Sequence, residues 1–183
     1  MSQSGSFDSS SSPPPTTTSR FIMSPELSKE VQNFISAYSD LFTSPSCSDS
    51  ELCAEVARKV GHHYRPGVTF FTGGKISRFE TQEEAAKLIE TEMRKNVILK
   101  LGTHLKLLHI QKIESYSSTS ALSWLEWQFV PQKGSEYEGK GWKFTNVYGY
   151  RAASEGLAAG WEFVLRDEEV DSMFAATGMR FDD

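Results

Sequence analysis

The run WKFTNVYGYR, residues 142–151, alternates as a strand does and puts Trp142, Phe144, Asn146, Tyr148 and Tyr150 on one face. A single amide inside an aromatic row fits neither a plain core strand nor a charged surface strand. Pairing this run with residues 121–131, as an antiparallel hairpin centred near residue 136, sets Glu126 opposite Asn146. Trp124 then faces Tyr148, Gln128 faces Phe144, and Val130 faces Trp142. The patch has a carboxylate and amides at its middle and aromatic rings at its rim, which suits a cavity for a flat, partly oxygenated, hydrophobic small molecule. In such a cavity Glu126 can move a proton, and the Asn146 amide can donate to a developing oxyanion without a shifted pKa. A solvated face with ordinary aromatic pairs is the competing reading. A slip of one residue in the register would scatter the patch.

Other residues capable of chemistry carry less. His62 and His63 precede Tyr64 at the mouth of the first strand. Adjacent side chains splay apart, so the two histidines cannot share a metal, but His63 alone can reach the cavity as an acid or base, with Tyr64 in its wall. His104 and His109 have opposite parity on one strand. Arg151 and Arg166 end strands, where they are solvated or hold an anionic group. Gly73-Gly74 is a turn signal, not a phosphate cradle, because no GxGxxG or GKS/T pattern follows. There is no metal constellation and no nucleophile triad, so no metal and no cofactor is expected. Cys47 and Cys53 are too few for a disulfide framework and are read as reduced.

Composition bounds the partners. A formal net charge of -5 argues against nucleic acid, which needs a basic stripe to meet phosphates. No apolar run reaches the roughly 20 residues that span a bilayer, and the N-terminus has no secretory apolar stretch, so the expected compartment is the cytoplasm. The 183 residues suit one domain and a tail, and twelve Phe with four Trp can fill a core. Residues 1–22, rich in Ser, Thr and Pro, have little to bury and are expected to be disordered, leaving a domain over 23–183.

The elements follow from periodicity and caps. Ser24 and Pro25 open a helix carrying Leu27, Val31, Phe34, Ile35, Tyr38, Leu41 and Phe42. A second helix starts near Ser48 and ends at Gly61; VTFFTGGKISRF makes a hairpin; and TQEE, residues 81–84, is a capping box for a third helix. Strands near 103–114, 121–131, 141–152 and 158–166 come next, then a short helix capped by Asp167 and stopped by Gly178. Helices first and a run of strands last is an α+β layout, with helices packed on one face of a sheet.

The segments YRPGVTFFTGGKISRFETQEEAAKLIE, GWKFTNVYGYR and GWEFVLRDEEV resemble the nuclear transport factor 2-like superfamily, in its SnoaL-like branch, over roughly residues 24–178. The resemblance implies a cone-shaped fold: a curved antiparallel sheet wrapped by N-terminal helices around a pocket. Ketosteroid isomerase-like members place an acidic base where this chain has Thr72, which cannot abstract a proton near neutral pH. Their oxyanion donors match Tyr38 and Asn146. The resemblance implies either a cofactor-independent isomerase, cyclase or dehydratase of polyketide- or terpenoid-type molecules, as in secondary-metabolite biosynthesis, or a non-catalytic ligand-binding or protein-interaction module. It also implies a homodimer through the sheet, if the odd face of the last strands (Leu125, Trp127, Phe129, Val147, Trp161, Phe163) is not covered by the chain's own helices.

Overall fold

A computed structural model describes residues 24–43 and 50–179. The run at 1–22, Cys47 and the expected cap Ser48 lie outside the described residues. Helix α1 spans Pro25–Thr43, and the Ser24 hydroxyl accepts from the Leu27 amide at 3.1 Å. Its buried stripe is Leu27, Val31, Ile35, Tyr38 and Phe42, one side chain per turn or so. Helix α2 (Ser50–Gly61) ends where it touches the third helix: a Cβ on Gly61 would stand 2.6 Å from Ala86 Cβ. Strands β1 (Tyr64–Thr72) and β2 (Lys75–Phe79) form a hairpin turned by Gly73 and Gly74, both at positive φ as a tight two-residue turn requires. Helix α3 (Gln82–Ile98) opens with the Thr81/Glu84 capping box.

Four strands complete the sheet: β3 (Leu105–Ser117), β4 (Ser120–Phe129), β5 (Trp142–Arg151) and β6 (Gly160–Leu165). Helix α4 (Asp167–Thr177) follows β6 and ends at Gly178 in the left-handed conformation. Asp167 is its first residue rather than its cap; Arg166 holds the N-cap position with no side-chain cap bond. The element order is the expected one. Strand order is β2-β1-β6-β5-β4-β3, with β1 and β6 parallel and every other neighbouring pair antiparallel. Register shifts in β3, and between β5 and β6, bend the sheet into a cone.

The β4–β5 register differs from the expected one by a single residue. Leu125 faces Asn146, Trp127 faces Phe144, Phe129 faces Trp142, and Glu126 faces Thr145. A hairpin with a twelve-residue connection (130–141) has no tight turn to fix its register, so burial decides it. Leu125, Trp127 and Phe129 therefore turn inward and are 0%, 1% and 6% exposed. Trp127 packs under α1, where Tyr38 and Phe42 meet its ring edge-on. The odd face is thus not one surface. Leu125, Trp127, Phe129 and Trp161 are core, whereas Val147 and Phe163 stand on the other side. The shift between Gly149↔Phe163 and Tyr150↔Trp161 produces that switch within β6. No described helix is long and apolar enough to cross a membrane.

Candidate functional site

The concave face of the sheet, with α1, α3 and α4 over it, encloses a cavity of about 80 Å³. Its walls are largely apolar and aromatic: Phe42 of α1, Ile89 and Met93 of α3, Trp127 and Phe129 of β4, and Trp142 and Phe144 of β5. Phe129 and Trp142 stack face to face, 4.4 Å between ring centres. The space is well below the few hundred Å³ that a drug-sized ligand fills.

Of the residues expected at the site, Asn146, Tyr38, Tyr64, Trp142, Phe144 and Tyr148 line this cavity together. Glu126, Trp124 and Gln128 do not. The one-residue shift puts all three on the convex face, because side chains alternate strictly along β4. There Glu126 pairs with His109 at 2.7 Å, and Lys112 lies 4.9 Å over the Trp124 ring. Gln128 faces Lys106 and Lys143 across its neighbouring strands. His63 is not in the cavity wall either. It follows α2, its Nδ1 is 3.1 Å from the Lys59 carbonyl oxygen, and its ring packs on Phe34 and Tyr38. Burial lowers its pKa, which keeps the imidazole neutral in that packing. Thr72 ends β1 and is outside the cavity.

The polar floor joins Asn146 and Arg166, which is buried rather than solvated, to Glu92 and Glu169, which local pattern did not pick out. Arg166 is buried and spans two carboxylates. Its Nη1 and Nη2 each donate to Glu92 at 3.0 Å, and its Nε and Nη2 donate to Glu169 at 2.9 and 3.1 Å. Asn146 Nδ2 donates to Glu169 Oε2 at 2.8 Å. Burial by itself would lower the Arg166 pKa, but Glu169 and Glu92 outweigh it and raise it, so the guanidinium is permanently charged. Burial raises the Glu92 pKa, Arg166 opposes the rise, and Glu169 adds to it. Two carboxylates on one guanidinium leave the cluster one negative charge in excess when both are ionised.

Three tyrosines stand beside the floor. The Tyr38 and Tyr64 hydroxyls are 2.7 Å apart. Burial is the main cause raising the pKa of all three; that of Tyr148 reaches about 12. They stay protonated at neutral pH and can donate to an oxygen that gains charge. Two buried polar atoms of the wall have no partner: Trp127 Nε1 and Asn146 Oδ1. Among the described residues no cluster of three His, Cys, Asp or Glu could hold a metal.

Signals for the missed residues were present. Glu92 falls on the α3 stripe of Ala85, Ile89 and Met93, where a carboxylate is out of place. Arg166 continues the inward parity of Val164 at the end of β6. No sequence signal distinguishes Glu169 from an ordinary acidic first turn of a helix.

No protein-family model and no curated protein matches the sequence. Solved structures do match. A domain of unknown function with a cystatin-like fold from Nostoc punctiforme PCC 73102 is 12% identical, with a TM-score of 0.54 over 78% of this chain and 77% of that one. A nuclear transport factor 2-like protein of unknown function from Shewanella oneidensis MR-1 is 11% identical, with a TM-score of 0.52 over 75% and 96%. A nuclear transport factor 2-like protein with a cystatin-like fold from Novosphingobium aromaticivorans is 12% identical, with a TM-score of 0.50 over 76% and 80%. Likeness at this level of identity is one of architecture, and the architecture of this chain is the nuclear transport factor 2-like, cystatin-like fold.

Proposed function

We propose that this chain binds a small, mainly apolar molecule in its cone and acts on it by acid–base chemistry without a cofactor, as an isomerase, cyclase or dehydratase does. The supporting observation is Glu92, a carboxyl with a raised pKa in the polar floor of a cavity whose walls are largely apolar and aromatic. Enzymes prepare general acids and bases in this way. Glu92 takes the proton-transfer role that the sequence assigned to Glu126. Asn146 and the tyrosines steady the oxygen on which charge develops, and Arg166 fixes the carboxylates in place.

Cyclopentanone in D2O tests this directly. The protein should speed deuterium incorporation at the carbon next to the carbonyl, and Glu92→Gln should lower that rate by roughly 10²-fold or more. Binding of the ketone without exchange would leave a non-catalytic binding module. One observation favours that second reading: Arg166 uses both carboxylates to tie α3 and α4 to the sheet, a structural duty that needs no turnover.

We also propose a homodimer through the convex face. Trp124, Val147, Leu165, Phe71 and Ile76 lie in register across five strands, with Leu165 36% and Ile76 71% exposed. Lys112, Glu114, Glu126 and Lys143 flank the row on the same face, so a two-fold related copy can set opposite charges against each other. Sedimentation should give twice the 20.5 kDa chain mass, and Leu165→Glu should give the monomer. A monomeric native protein would refute the dimer.

A further inference from the structure

We infer that the cavity selects an uncharged head group bearing a hydroxyl and turns carboxylates away. The inference rests on the cavity being a binding site, as proposed above, and adds what it recognises. Its first basis is the pair of orphan atoms. Trp127 is 1% and Asn146 3% exposed, yet the indole N–H of one and the amide oxygen of the other meet no partner. The orientation of the amide follows from its neighbour: the Glu169 carboxylate only accepts, so the Asn146 NH2 must face it and Oδ1 must face away.

An unpaired buried donor and an unpaired buried acceptor each cost free energy until something meets them. Trp127 faces Phe144, and Asn146 stands two residues further along β5 on the same face. Diagonal neighbours of this kind have Cα atoms about 7–8 Å apart, within reach of one small polar group. A hydroxyl oxygen can accept from Trp127 Nε1 while its hydrogen goes to Asn146 Oδ1. A ketone serves only the first, and a hydrocarbon serves neither.

The second basis is charge. The floor's guanidinium is engaged by two carboxylates, and when both are ionised these three groups carry one negative charge in excess, which opposes an entering anion. A neutral head meets no such opposition. Selectivity therefore comes from a repulsive element as well as from the two unmet hydrogen bonds.

Cyclopentanol, cyclopentanone, cyclopentane and cyclopentanecarboxylate at pH 7.5 differ in little but this head. Titration against the intrinsic fluorescence of Trp127 and Trp142, which line the cavity, reads their affinities. The alcohol should bind roughly three- to tenfold tighter than the ketone, and the ketone tighter than the hydrocarbon by a similar factor. The carboxylate should not bind. Glu169→Gln removes one of the opposing charges and should admit the carboxylate, with near-UV circular dichroism confirming that the variant is folded. If all four bind alike, the selectivity is wrong while the binding site stands. Failure of all four to bind at millimolar concentration would remove the site itself. The native series decides the matter even if the variant does not fold.

Discussion

The side-chain amide of Asn146 donates to the carboxylate of Glu169 at 2.8 Å, joining the middle of β5 to the first turn of α4. The amide is thus a structural link and, through its other end, a free acceptor in the cavity wall. Removing it leaves Glu169 short of one donor in a site shielded from water. Asn146→Leu should cost about 1–3 kcal/mol in urea unfolding. Asn146→Asp puts a further carboxylate beside Glu169 and should cost more than Asn146→Leu. Equal losses in the two variants would show that the Glu169 contact carries no charge.

Glu92 sets a pH dependence whose sign can be worked out. Its folded pKa is raised from the ordinary 4.5, so between that value and the raised one the native state holds more protons than the unfolded chain. Its contribution is fully present below the ordinary value and is lost as pH rises through the folded pKa. Glu92→Gln should remove this slope from a plot of unfolding free energy against pH. A slope unchanged in the variant would assign it to another group.

Glu126 is expected to be silent in the cavity. It pairs with His109, whose side chain is 60% exposed, on the far face of the sheet. Glu126→Gln should change stability by no more than about 1 kcal/mol and leave ligand affinity and deuterium exchange unchanged. Loss of exchange in this variant, with Glu92→Gln still active, would reverse the roles assigned here.

Gly149 has no room for a side chain. An ideal Cβ there would stand 2.2 Å from Phe163 Cε1. Gly149→Ala should destabilise the protein by about 1–3 kcal/mol through this overlap. Phe163→Ala added to it should recover part of the loss, giving a coupling energy of at least about 0.5 kcal/mol in a double-mutant cycle. Strict additivity would mean that the Phe163 ring simply swings away at no cost.

The parts of this molecule that sequence discloses are those fixed by neighbours along the chain. The TQEE box starts α3, Gly73-Gly74 turns β1 into β2, and Gly178 stops α4, because each needs only a few adjacent residues. The site was half legible for the same reason. The alternation of β5 places Asn146 among aromatic rings by itself, but the partner across the sheet depends on where a twelve-residue connection lets β4 settle. One residue of difference exchanged Glu126 for Leu125. Arg166, Glu92 and Glu169 come together from β6's end, α3 and α4. Only the closed cone brings those segments within hydrogen-bonding distance, so local period can turn Glu92 and Arg166 inward but cannot announce that they meet Glu169.

The parallel pairing of β1 with β6 matters to how the chain is made. Tyr64 partners Trp161, with nearly the whole sheet's length of sequence between them. During synthesis the β1–β2 hairpin emerges early, yet its other neighbour among the described strands emerges last. Until then the Phe70 side of β1 lacks its β6 neighbour, and contacts of such long range are slow to form. On the ribosome this domain cannot close from its N-terminal end forward. Its nascent chain needs shelter until β6 is free, and a stop codon before residue 160 should yield a product that chaperones hold and proteases remove.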